Sequence, residues 1–166
     1  MEFTSTPDRA TVLGYLAAAA LWVALLGPAW AYIPATPTTP AANMNFADFI
    51  ALNATLQTGG LQHAFYSWGA WLFAVLATAL ALLAGRRRAS VGIAATALGI
   101  VQLVVSLWAV KGNATVAVLL GNLPYMRVGS VLFLIGILLL TASGVVRLVS
   151  VRTSSAATVE SLLPAR

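Results

Sequence analysis

Four long apolar blocks constrain this chain more than any other feature, each close to the ~20 residues that a helix needs to cross about 30 Å of hydrocarbon. They fall at residues 11–33, 64–84, 91–110 and 128–149 of the 166-residue sequence. Sixty per cent of the residues are hydrophobic and 8 per cent are charged, against roughly 25 per cent charged in a soluble domain. The expected fold is all-α: a four-helix transmembrane bundle (tetraspan) that fills residues 1–152 as a single domain. Outer loops are expected at 34–63 and 111–127, and a mobile cytoplasmic tail at 153–166.

The basic residues orient this arrangement. Arg9, Arg86, Arg87, Arg88, Arg147, Arg152 and Arg166 fall on one side of the blocks, and Lys111 and Arg127 on the other. By the positive-inside rule both termini are expected in the cytoplasm, with the chain multi-pass in a bacterial inner (plasma) membrane. The run Arg86, Arg87 and Arg88 is placed to meet anionic lipid head groups, at about 1 kcal/mol per charge. Three arginines in one tight turn make no extended footprint for nucleic acid. Alanine supplies about a fifth of the chain and arginine outnumbers lysine eight to one, which points to a GC-rich, actinobacterial genome.

Along the chain, Ala29-Trp30-Ala31 resembles a signal-peptide cleavage site, but the apolar run before it exceeds the ~7–15 residues of a signal core and reads as a retained span. Pro28 is expected to kink or end the first helix. Pro34, Pro37 and Pro40 predict an extended, polyproline-like strap. Asn45, with Asp48 three residues on, predicts an N-cap. Phe46, Phe49, Ile50 and Leu56 then recur at helical spacing, so residues 45–57 read as a short amphipathic helix closed by Gly59-Gly60. Phe65, Tyr66, Trp68, Trp71, Trp30, Tyr32, Trp108 and Tyr125 are expected to form one aromatic belt at the outer boundary. In the second loop Thr115 to Leu120 is apolar enough to dip against the membrane, and Asn122-Leu123-Pro124 ends it as a turn.

Inside a bilayer small residues and a few polar contacts must hold helices together. Ala70, Ala74, Ala77, Ala81 and Ala84 mark one face of the second block, and Gly92, Ala95, Gly99, Gln102, Ser106 and Ala109 one face of the third. Gly129, Gly136 and Ser143 form a seven-residue repeat on the fourth. These seams are read as packing the chain on itself, with docking of a partner by one seam as the alternative. Gln102, the only strongly polar side chain at depth, is read as an interhelical hydrogen-bonding group.

No Asp, Glu, Lys, Arg or His falls in the central depth of a block, which argues against a stand-alone pump, ion-coupled carrier or membrane protease. Cysteine is absent, so disulfide and thiolate chemistry are excluded. His63, the only histidine, is read as an interfacial hydrogen-bonding residue, with a pH-sensing contact to Asp48 as the alternative. The sequons at Asn53 and Asn113 are read as chance. No phosphate loop, nucleophile elbow or metalloprotease helix occurs, so no enzyme activity, metal, cofactor or small-molecule substrate is expected.

Two hairpins with a long first outer loop and a short helix in it are similar to claudin-like tetraspan proteins in topology, without the tryptophan-and-two-cysteine loop signature of claudins. The whole chain also resembles the small, Ala-rich four-helix proteins of mycobacteria that accompany large envelope assemblies, such as Mce-type lipid importers or respiratory supercomplexes. That resemblance implies a non-enzymatic accessory subunit whose partners are a larger membrane complex and bilayer lipids. A lipid transporter is the first expectation for that complex and a respiratory complex the second. Phe46, Phe49, Ile50, Trp68 and Trp71 are the candidate partner or lipid contacts. Two other readings are a lipid groove beneath the helix at 45–57 and a self-associating scaffold.

Overall fold

The structure, a computed structural model, describes residues 8–56, 60–83, 88–112 and 114–161. It is mostly helical, and four helices are long and apolar enough to cross a membrane: α1 (Arg9–Leu26), α3 (Gly60–Leu82), α4 (Ala89–Lys111) and the Val128–Thr153 part of α6 (Val128–Ser161). The connections carry strands β1 (Ala31–Ile33) and β2 (Ala42–Met44), helix α2 (Phe46–Thr55) and helix α5 (Val116–Gly121). These connecting elements gather at one end of the helices, here the hairpin end. The start of α1 and the later turns of α6 lie at the other, the tail end.

Helix α1 stops at Leu26, seven residues short of the sequence expectation. Gly27 and Pro28 break it, the proline because it has no N–H to continue the ladder. Residues 31–33, expected as helix, form a strand instead, and the expected polyproline strap is a β-hairpin with Ala31 opposite Met44, Tyr32 opposite Asn43 and Ile33 opposite Ala42. All three prolines sit in the connecting tip, outside the ladder that they could not join. Asn45 caps α2 as its spacing predicts: its side chain accepts from the Asp48 N–H at 3.0 Å, and the Asp48 carboxylate accepts from the Asn45 N–H at 2.8 Å.

Helix α3 starts four residues earlier than expected, and Phe65–Gly69 is a π-helical stretch in which the Ala70 N–H donates to the Phe65 carbonyl. That extra residue rotates the helix between its aromatic outer turns and the alanine face beyond. Helix α6 runs on to Ser161, so residues 153–161 of the expected tail are helical. Its 34 residues reach ~50 Å, more than the roughly 30 Å of hydrocarbon. Ala84, Gly59 and Asn113 lie outside the described residues.

Helix α6 packs most extensively on α1 and next on α4, while α3 completes the set against both α1 and α4. Small residues permit the approach. A Cβ on Gly99 would collide with the Thr141 hydroxyl; one on Gly92 would lie 3.1 Å from the Gly144 carbonyl; one on Gly136 would lie 2.8 Å from Leu21 Cγ; and one on Gly129 would strike the Trp30 ring. Ala70, Ala74, Ala77 and Ala81 are all buried, and Gly14 of α1 lies against Ala81 and Ser143. Polar contacts add to this: Trp22 Nε1 donates to Thr78 Oγ1 at 2.9 Å, and Ser143 Oγ donates to the Ala10 carbonyl at 2.7 Å.

Replacing Gly99 by Leu is expected to cost about 1–3 kcal/mol through overpacking, read as a lower thermal midpoint in mild detergent. Gly121→Ala, where a Cβ meets open space, should stay within ~0.5 kcal/mol of wild type.

Candidate functional site

The chain leaving α1 turns back on itself because Trp30 fills the hairpin end of the helices. Its indole N–H donates to the Ala24 carbonyl at 2.6 Å, giving an end-of-helix acceptor the partner that the broken helix cannot supply. Around it lie Phe46 of α2 and Phe133 of α6, with ring centres 4.9 and 5.0 Å away. Phe65 of α3 meets both of those rings edge-on, at 6.5 and 6.0 Å. Phe46 also contacts Tyr66 and Trp71, and Phe49 stacks on Tyr66 at 5.6 Å. One ring cluster thereby joins α2, α3, α6 and the segment after α1. Such pairs contribute about 0.5–1.5 kcal/mol each beyond the area they bury.

The expected aromatic belt therefore divides into two groups. Trp30, Phe65 and Tyr66 are buried inside the cluster, whereas Trp68 and Trp108 are 58 and 65 per cent exposed. The candidate contact residues divide with it. Phe46 is enclosed and belongs to the core, Phe49, Ile50 and Trp71 are half-buried at its edge, and Trp68 is open.

Backbone bonds lock the strap to the rest of the chain. The Trp30 N–H donates to the Met44 carbonyl at 2.6 Å, the Arg127 N–H to the Trp30 carbonyl at 3.0 Å, and the Gly129 N–H to the Ala29 carbonyl at 2.8 Å. Ser130 Oγ also donates to the Trp30 carbonyl, and Ala31 forms a bridge with Met126. The Arg127 guanidinium lies 4.8 Å from the centre of the Tyr32 ring, a cation–π contact, and Tyr32 stacks on Tyr125. The exposed surface of this cap, residues 31–45 and the outer side of α2, is a folded platform whose only charged residue is Asp48.

Near it, Asn53 Nδ2 lies 3.3 Å from His63 Nδ1, linking α2 to α3. Asp48 spends its carboxylate on the capping box, so the neighbour given to His63 is Asn53. Asn53 is buried, which removes the first sequon from the surface.

Elsewhere, Gln102 is fully buried on the packed face of α4, with Gly92, Ala95, Gly99, Ser106 and Ala109. Neither its amide nitrogen nor its oxygen meets a hydrogen-bond partner among the described residues, so the interhelical bond expected from sequence is not made with them. At the tail end Arg88 is exposed where α4 begins, while Arg86 and Arg87 lie outside the described residues. Arg147 is only 3 per cent exposed and its guanidinium donates to Thr11 Oγ1 at 3.4 Å. Sequence reading counts Arg147 merely as a basic flank. A signal was present: Phe133, Leu140 and Arg147 interleave with Gly129, Gly136 and Ser143 at alternating spacings of four and three, the buried seam of α6.

Among the described residues no group of three or more His, Cys, Asp or Glu side chains comes together to hold a metal ion. No protein-family model, no curated protein and no solved structure matches the chain.

Trp30→Ala is expected to cost about 3–5 kcal/mol, with loss of the near-ultraviolet circular dichroism of the ring cluster. Gln102→Leu removes a buried amide without a described partner and should raise stability by about 1–3 kcal/mol, read as a higher midpoint of thermal unfolding in the same detergent.

Proposed function

We propose that this chain is a non-enzymatic accessory subunit of a larger membrane complex, which it stabilises or regulates through its cap. The observation that carries the reading is the cap itself. It is a hairpin and helix held by Trp30 and by backbone bonds to the start of α6, with an exposed platform that bears one charge. A surface already ordered in the free protein avoids the cost of immobilising loops and side chains on association. Nothing in the catalytic inventory of the sequence competes for the same residues.

The fold in the membrane is a tetraspan four-helix bundle in a bacterial plasma membrane with both termini cytoplasmic, supported by the seven-to-two partition of basic residues. This puts the cap on the outer face. Of the host assemblies implied by the resemblance to Ala-rich mycobacterial four-helix proteins, a lipid transporter is the one proposed, with a respiratory complex second.

The test is mass spectrometry of what accompanies the C-terminally tagged chain when it is purified from its native membrane in mild detergent. Near-stoichiometric subunits of one transporter or respiratory enzyme are expected, and Ile33→Glu on the exposed strap should reduce their recovery about tenfold, the equivalent of ~1.4 kcal/mol, with the thermal midpoint unchanged. Recovery of the chain alone with a bound lipid, or intrinsic turnover by the purified protein, would overturn the proposal.

A further inference from the structure

The second connection carries an element that the cap does not use. Helix α5 follows Lys111 by a few residues, and from Gly112 to Met126 the chain has no charged side chain. Val116, Val118 and Leu120 of α5, Leu123 of the following turn and Val128 at the start of α6 are each more than half exposed. Among the described residues α5 contacts chiefly the adjoining 3-10 turn Leu123–Tyr125 and lies on none of the four long helices in any extensive way. A six-residue helix is far below the roughly 12–15 residues at which an isolated helix becomes even marginal in water. Something apolar must support it.

From these observations we infer that α5 is a membrane-interface helix, seated in the lipid leaflet at the hairpin end of the bundle. Three features select lipid as the occupant. The surface is continuous with faces that lipid must cover: Val128 belongs to spanning helix α6, and the exposed Trp108 lies one turn from the end of spanning helix α4. Helix α5 itself carries no polar side chain, whereas a helix on a protein–water boundary keeps a polar face. Its two flanks, Lys111 and Arg127, are the only cations on this side of the sequence, and both can extend their charges to the head-group layer while the segment between them lies deeper.

Seating α5 has a consequence for the cap. Arg127, at the end of this loop, bonds Trp30 through its backbone, and Met126 bridges Ala31. The leaflet therefore sets the height at which the strap stands above the membrane. The inference needs the bilayer and does not depend on the accessory role.

The absence of native cysteine allows a clean test. The full chain carrying Val118→Cys or Leu120→Cys is spin-labelled and reconstituted in vesicles of phosphatidylcholine and phosphatidylglycerol. Collision with oxygen is then compared with collision with a water-soluble nickel chelate. Leu138→Cys, on the exposed apolar side of α6, is the lipid reference, and Thr38→Cys, at the exposed strap tip, is the aqueous one. A label seated in the leaflet reports oxygen collisions several-fold above nickel, as at Leu138. Nickel-dominated collisions like those at Thr38 would place α5 in water and overturn the inference. Low collision with both reagents would show that protein, a second copy or another subunit, covers α5, and would overturn it equally.

Discussion

Close approach of α6 to its neighbours is the constraint from which the rest of the structure follows. In lipid, apolar side chains gain little by leaving one apolar medium for another, so helices associate only where their surfaces fit. The α6 seam supplies that fit by alternating large and small groups. Gly129 admits the Trp30 ring, Gly136 admits Leu21, and Gly144 lies against Gly92 and Thr96. Serine and threonine on these faces return their hydroxyls to backbone carbonyls, as Ser143 does to Ala10 and Thr141 to Ile137, which lets them pack as small groups without leaving a donor unpaired.

The hairpin end obeys a different rule, because there the chain leaves the spanning helices and must still satisfy its backbone. Breaking α1 at Pro28 frees the strand that follows, and Trp30 returns a donor to the helix it has just left. The ring cluster then fixes α2 over α1 and the π-helical part of α3, and the ladder with residues 126–129 ties the strap to α6. A single tryptophan thus connects the termination of one spanning helix to the start of another. The same contacts make the cap a shaped surface in place of a loose loop, and on that the accessory reading depends.

Much of this was legible from residue spacing. The four long helices lie in the expected blocks with shifted ends, the Asn45 capping box sits where its spacing places it, and the described small residues on the faces of α3, α4 and α6 are buried. The hairpin was not legible, since threonine, alanine and proline over residues 34–41 carry no alternation of apolar and polar residues, and its first strand is held by contacts to residues about a hundred positions away. Nor was the aromatic division: interface tryptophans and core tryptophans are the same residue type, and only their neighbours distinguish Trp30 from Trp108. The burial of Arg147 follows the seam spacing of α6, although by sequence alone an arginine near a helix end equally fits a basic flank.

By itself the sequence determined that there are four long apolar helices, which of their faces carry small residues, and that Pro28 interrupts the first apolar block. Those properties depend on local chemistry: hydrophobic length, residue volume, the missing N–H of proline. Tertiary structure alone decided which aromatic rings are enclosed, that the strap pairs as a hairpin and is bound to the start of α6, and that Gln102 lies without a described partner while Arg147 lies against α1. The reason is physical. Burial and hydrogen bonding depend on what a neighbouring element brings to the same place, and that is a property of distance in space, on which spacing along the chain has no hold.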